Sequence, residues 1–293
     1  MYEEVFYVLS GRGATSVWAD GEHSETFEWN QGSLFAVPLN AWYQIFNGSG
    51  SEPARYVSMT SAPPMMRLFR DEDFMWNNPF VFRSRLTGAS STFAGNGKLF
   101  KERHRRVWES NFIPNAVDMG LYTWTERGAG GINAEFQMAK HSVLPHISEF
   151  PVGTYKKAHR HGPGAHLILL RGTGYSLLSK EGEEPRMAPW KENAMVVVPE
   201  DDCIHQHFNT GTTPARYLAL KPSRHGLFRP TVTTGKGDVS MKQGGIQIEY
   251  EDEDRKIHEI FEAELERNGA PCRMKAFVPW CTGEVGPTSE RDT

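Results

Sequence analysis

At 293 residues, with 39% hydrophobic, 12% aromatic and 23% charged side chains, the chain has ordinary globular composition and length for one large or two ordinary domains. A formal net charge of -4 excludes the basic excess of a nucleic-acid surface, and no apolar run approaches the ~20 residues that span a bilayer. Met1-Tyr-Glu-Glu-Val-Phe6 lacks the basic start of a signal peptide, and Cys203, Cys272 and Cys281, odd in number and without a C-x-x-C pair, point to a reducing cytoplasm.

From Glu4 to about Thr60 the pattern is short strands with turn punctuation. Val5–Leu9 is a buried strand stopped by Gly11-Arg-Gly13; Thr15–Trp18, Phe27–Trp29, Leu34–Val37 and Trp42–Asn47 follow, with turns at Asp20-Gly21 and Gln31-Gly32. Evenly spaced strands of this kind predict an all-β barrel or sandwich. Residues 63–116 read as a connection containing two apolar stretches, Met65–Phe69 and Asp73–Trp76, and a charge run at Lys101–Arg106. A second set of strands runs from Gly120 to Leu220. The tail carries one helix, about residues 251–268, with Ile257, Ile260, Phe261 and Leu265 at helical spacing, acidic residues in its first turn and Gly269 as its stop.

The order of the first segment returns 161 positions later: Gly11-Arg-Gly13 answers to Gly172-Thr-Gly174, Gly21 to Gly182 and Trp29 to Trp190. After one inserted residue near Pro199, Phe46-Asn47 answers to Phe208-Asn209, and Pro53-Ala-Arg-Tyr56 to Pro214-Ala-Arg-Tyr217. So long a period means a duplicated domain, since solenoid repeats run to ~20–50 residues. The division is a partial, metal-free domain at 1–62, the connection at 63–116, a metal-binding domain at 117–225 and an extension at 226–293. In the first copy Tyr43 stands where the second has His205, Ile45 where it has His207, and Glu4 where it has Ala165. Its counterparts of His159 and His161 would fall at or before Met1, so strand edges are left for another segment or subunit to cover.

His159-Arg-His161 carries the chemistry. Two histidines one residue apart share a face on a strand, where side chains alternate. A third imidazole arrives from His205, in Ile204-His-Gln-His-Phe-Asn209. Three neutral imidazoles on strands suit Fe, Mn, Cu, Ni or Zn and leave room for exogenous ligands. His166 stays open as a fourth: strand parity turns it outward unless the Gly162-Pro-Gly164 turn makes a bulge, and three ligands is the favoured reading. His207 shares parity with His205 and is expected to line the cavity, as support for a ligand or as a proton shuttle. Lys157 shares parity with His159 and is the first candidate to meet a substrate carboxylate. His141, His146, His225 and His258 are read as non-ligands, and Cys203 as a buried inert thiol.

Gly153-x5-His159-x-His161 followed by Pro-x5-His205-x3-Asn209 resembles the two signature motifs of the cupin superfamily. With the duplication, the chain looks like a bicupin. That resemblance implies two tandem double-stranded β-helix (jelly-roll) domains, the first N-terminally truncated, followed by the C-terminal helix. Within the superfamily, His159-Arg-His161-x3-Ala165 followed by Gly172 resembles gentisate and salicylate 1,2-dioxygenases, whose iron sits on three histidines. Those enzymes place the metal in the first cupin, whereas here only the second can hold it.

The resulting expectation is a cytoplasmic oxidoreductase and homo-oligomer without nucleic-acid or membrane partners. It would use Fe(II), with Mn, Ni, Cu or Zn as alternatives, to cleave a small hydroxylated aromatic or enolisable carboxylic acid with O₂. The competing expectations are an O₂-independent metal-dependent isomerase or decarboxylase and a non-catalytic small-ligand-binding bicupin. No P-loop, G-x-S-x-G or H-E-x-x-H motif offers another chemistry.

Overall fold

The computed structural model describes all residues except 20, 22, 87–91, 103–104, 162–163, 200–202, 223–236 and 285–293. Sequence features at Asp20, Thr87–Ser91, His104, the Gly162-Pro163 turn and His225 lie outside the described residues. The chain is predominantly β and divides into two compact units, residues 1–120 with 135–145, and residues 121–134 with 146–293.

In the first unit β1 (Glu4–Ser10), β4 (Leu34–Val37), β6 (Arg55–Thr60) and β9 (Phe112–Ile113) form a sheet of order β6-β1-β4-β9. A second sheet has order β3-β2-β5, from β2 (Arg12–Trp18), β3 (Glu25–Asn30) and β5 (Trp42–Asn47). The segment read as a connection packs within this unit. It contributes two short helices, α1 (Ala62–Phe69) and α2 (Glu72–Trp76), the hairpin β7 (Lys98–Glu102) with β8 (Arg105–Glu109), and β9. Phe6, Phe27, Trp29, Phe35 and Phe112 build its core.

The second unit holds β10 (Tyr122–Thr123), the start of β11 (Ile132–Gln137), and β12 (His146–Phe150). Then come β13 (Ala165–Arg171), β14 (Thr173–Ser179), β15 (Arg186–Lys191), β16 (Met195–Val198), β17 (Ile204–Asn209) and β18 (Ala215–Leu220). The order β16-β13-β18 repeats β4-β1-β6, and β15-β14-β17 repeats β3-β2-β5. Register repeats as well. Glu4 faces Val37 as Ala165 faces Val198, and each copy shifts register once, between Val8 and Ser10 and between Leu169 and Arg171. A bulge kept at the same place in both copies is a designed feature of the fold.

Gly13 and Gly174 show why the landmark glycines recur. A Cβ at Gly174 would lie 1.9 Å from the Phe208 carbonyl oxygen and 2.7 Å from the Trp190 ring; at Gly13 it would meet Phe46 and Trp29 in the same way. Each glycine lets a buried tryptophan lie flat on the sheet, and each indole donates to a hydroxyl, Trp29 to Thr15 (2.9 Å) and Trp190 to Ser176 (3.1 Å).

The tail helix α3 spans Arg255–Asn268 and is shorter than the sequence suggests. Asp254 caps it by accepting from Lys256 N, so the acidic run lies before the helix instead of in its first turn. Gly269, in the left-handed conformation at φ 62°, ends it. Phe261 and Leu265 are fully buried against Tyr155, Tyr175 and Phe208 on the outer face of the β14–β17 sheet. Burial of that size stabilises by about 1.5–3 kcal/mol per side chain. No helix among the described residues is long and apolar enough to cross a membrane.

His141, in the first unit, is buried, and burial, partly offset by the Glu3 carboxylate, pulls its pKa from 6.5 to about 4. Between those values the unfolded chain binds a proton that the folded chain refuses, so stability falls as pH drops through that window. The loss approaches about 3 kcal/mol below pH 4. Denaturant unfolding of His141→Phe is expected to show a flatter acid limb than the parent; an unchanged slope would remove His141 as its cause.

Candidate metal centre

Three strands' worth of backbone meet where the histidines do. His159 and His205 form a reciprocal pair, His159 N donating to His205 O (3.0 Å) and His205 N to His159 O (2.8 Å). Their ring centroids are 4.1 Å apart, and His161 lies 5.6 Å from His159 and 4.7 Å from His205. One ligand atom from each of the three falls within 4.8 Å of the others.

Hydrogen bonding decides which nitrogens face inward. His159 Nδ1 sits 3.2 Å from Lys157 O, and His205 Nδ1 2.9 Å from Cys203 O. A carbonyl only accepts, so each Nδ1 carries the proton and each Nε2 keeps its lone pair for the cluster. Burial drives the same result. It pulls the pKa of His205 down to about 4, against the Cys203 carbonyl bond, and pushes His159 well below its ordinary value, with Arg127 and the neighbouring imidazoles adding to it. Three nitrogen donors, two of them buried and held neutral, fit a divalent transition metal.

His166 does not join them. It is exposed on β13, opposite Val197 and Leu220, while Ala165 and Leu167 turn into the core. The four-histidine alternative is therefore corrected: β13 alternates regularly from Ala165, and parity sends His166 outward. His207 is buried next to the cluster, its ring 5.6 Å from His205 and 5.3 Å from Tyr217, with Nδ1 2.8 Å from Ser176 Oγ.

Lys157 is the second correction. Its ammonium pairs with Glu249 at 2.5 Å and lies over the Tyr250 ring. The cause is a bulge: Tyr155 bridges Phe208 and His159 bridges His205, so four steps on one strand meet three on the other. One extra residue reverses the facing, and Lys156 takes the place that parity assigned to Lys157. Lys156 is 2% exposed, donates to Ser148 Oγ and to Tyr217 OH (3.2 Å), and lies over the rings of Trp124, Phe150 and Tyr217. Among the described residues no carboxylate pairs with it. Burial, with Arg127 adding, pushes its pKa well down.

Arg127, which sequence reasoning missed, is buried beside the cluster, bonded to Gln247, Gly237 O and Asp238 (2.9 Å). It lowers the pKa of all three buried histidines, His159, His205 and His207. It comes from a single 3-10 turn, and no motif surrounds it that could have signalled the role. Tyr155 faces α3 and donates to Glu253.

The first copy replaces the ligands with a hydroxyl–carboxylate pair. Tyr43 OH donates to Glu4 at 2.8 Å beside a cavity of about 380 Å³ that both residues line.

Strand order and duplicated register define a two-unit, predominantly β fold whose second copy carries the histidine constellation. No family model and no curated protein matches the chain. Solved structures similar to it are oxalate decarboxylases. A single-residue variant of the Bacillus subtilis enzyme is 12% identical over 76% of this chain and 64% of that one, with a TM-score of 0.47. The Lactobacillus farciminis enzyme with formate is 11% identical over 76% and 71%, with a TM-score of 0.48. The chain thus spans less than two thirds of the first of these, and likeness at this level carries nothing about substrate.

Proposed function

We propose that the chain is a cytoplasmic metal-dependent enzyme in which His159, His161 and His205 hold one divalent ion, Fe(II) first among candidates. Its substrate is a small hydroxylated aromatic or enolisable carboxylic acid, cleaved with O₂. The observation that carries this reading is the convergence of three imidazoles near a buried lysine with no carboxylate partner among the described residues. When bound, the ion would supply Lewis acidity and open coordination positions.

The chain's own residues do the rest. The Lys157 and Cys203 carbonyls fix the tautomers of His159 and His205. Burial favours the neutral Lys156 amine, so an arriving carboxylic acid can hand it a proton and form an ion pair, strengthened by the low dielectric of the surrounding rings. His207, supported by Ser176, is placed to hold or pass a proton beside the cluster.

A second reading, O₂-independent decarboxylation or isomerisation, is favoured by one feature. His207, Tyr217 and Lys156 form a row of proton carriers of the kind that carbanion protonation requires. An oxygen electrode separates the two. Protein loaded with iron or with manganese, offered a panel of hydroxybenzoates and small dicarboxylates, is expected to consume O₂ in step with substrate. Turnover without O₂ uptake establishes the second reading, and saturable binding without turnover leaves a ligand-binding protein. A homo-oligomer is part of the proposal, supported by the edge position of β5 with Trp42 and Phe46 exposed.

A further inference from the structure

The tail of the second unit brings together four side chains that the histidine centre does not use. His258 and Glu262, one turn apart on α3, share a helix face. Gly269 then reverses the chain, and Cys272 and Cys281 return to that face from the coil beyond. One ligand atom from each of the four lies within 4.8 Å of all the others. His258, Cys272 and Cys281 are buried, and Glu262 is partly so.

From this cluster we infer a second metal site, a tetrahedral Cys₂-His-Glu centre of structural type that takes zinc and ties the tail to α3.

The spacings match that geometry. Cys272 Sγ to Cys281 Sγ is 3.5 Å, His258 Nε2 to Glu262 Oε1 3.1 Å, and Cys281 Sγ to Glu262 Oε1 4.0 Å. Zinc bonds of about 2.3 Å to sulfur and about 2.0–2.1 Å to nitrogen and oxygen give a tetrahedron whose edges are about 3.3–3.8 Å. A disulfide needs sulfurs at about 2.0 Å and has no use for the imidazole and carboxylate aimed at the same point.

The imidazole is oriented for the role. Tyr155 OH donates its one proton to Glu253 (2.7 Å), so at 3.2 Å from His258 Nδ1 the phenol oxygen accepts. Nδ1 therefore carries the hydrogen, and the Nε2 lone pair points at a carboxylate oxygen. Two acceptors at that separation repel unless a cation lies between them. Protonation of His258 would serve for this pair alone. A proton does nothing for the two thiols, whereas one zinc ion satisfies all four groups.

Elemental analysis and zinc-edge X-ray absorption on the full chain, purified under reducing conditions, test this. The expected result is one zinc per chain with two sulfurs in its first shell, retained in His205→Ala and lost in Cys272→Ser/Cys281→Ser. Replacing zinc by Co(II) in the parent protein is expected to produce a thiolate-to-cobalt charge-transfer band, a readout that does not require the double variant to fold. Zinc without sulfur neighbours, no cobalt–thiolate band, or an intact mass lower by two hydrogens with no bound zinc would each overturn the inference.

Discussion

His205→Ala is expected to lose the ion of the histidine centre, with metal affinity falling by more than about 100-fold. Disturbing only the partners of ligands already costs about 10–100-fold, and His205 is placed as a ligand. The fold should survive, since the lost Nδ1–carbonyl bond is worth only about 1 kcal/mol. Two companions sharpen the result. His166→Ala, exposed on the opposite face of β13, is expected to change neither metal content nor turnover. His207→Ala is expected to keep the metal and lose turnover, because its nitrogen is tied to Ser176 and lies outside the ligand group. Metal retained at parental level in His205→Ala would remove that residue from the ligand set.

Lys156→Met carries the second large effect. It is expected to lower kcat/KM for a carboxylate substrate by about 100-fold or more, since a desolvated charge pair is worth several kcal/mol when one partner is removed. The same change should leave the protein at least as stable, because a buried amine is exchanged for a side chain that packs among Trp124, Phe150 and Tyr217. Activity and stability moving apart distinguishes substrate binding from a structural role. Lys157→Met breaks the pair with Glu249 and the contact with the Tyr250 ring, and is expected to stay within a few-fold of the parent. Equal losses in the two variants would contradict the assignment.

The sequence made the duplication and the three histidines readable for the same reason: both depend on side-chain alternation along strands. The 161-residue spacing survives as register, down to the bulges after Val8 and Leu169. His159 and His161 lie on a coil segment that joins β17 only through isolated bridges, yet their spacing of two still turns both rings toward His205. What failed was parity across an irregularity. The bulge between Tyr155 and His159 has no glycine or proline within it to announce it, so Lys157 was exchanged for Lys156. Arg127 and the group of His258, Glu262, Cys272 and Cys281 were hidden for another reason. Their proximity comes from the docking of a turn and a tail onto the β14–β17 sheet, and no local spacing records such docking. The helix start moved from about 251 to Arg255 because Asp254 stops being a helix residue once it caps the first turn.

The central claim is that three imidazoles from two backbone segments, residues 159–161 and β17, share one ion. Metal-edge X-ray absorption on Cys272→Ser/Cys281→Ser, in which no thiolate site competes, tests it most directly. The account predicts one iron or manganese per chain, with a sulfur-free shell containing three imidazole nitrogens, and a signal that disappears when His159→Ala is added. An ion bound with no imidazole scattering, or one that persists without His159, would contradict it.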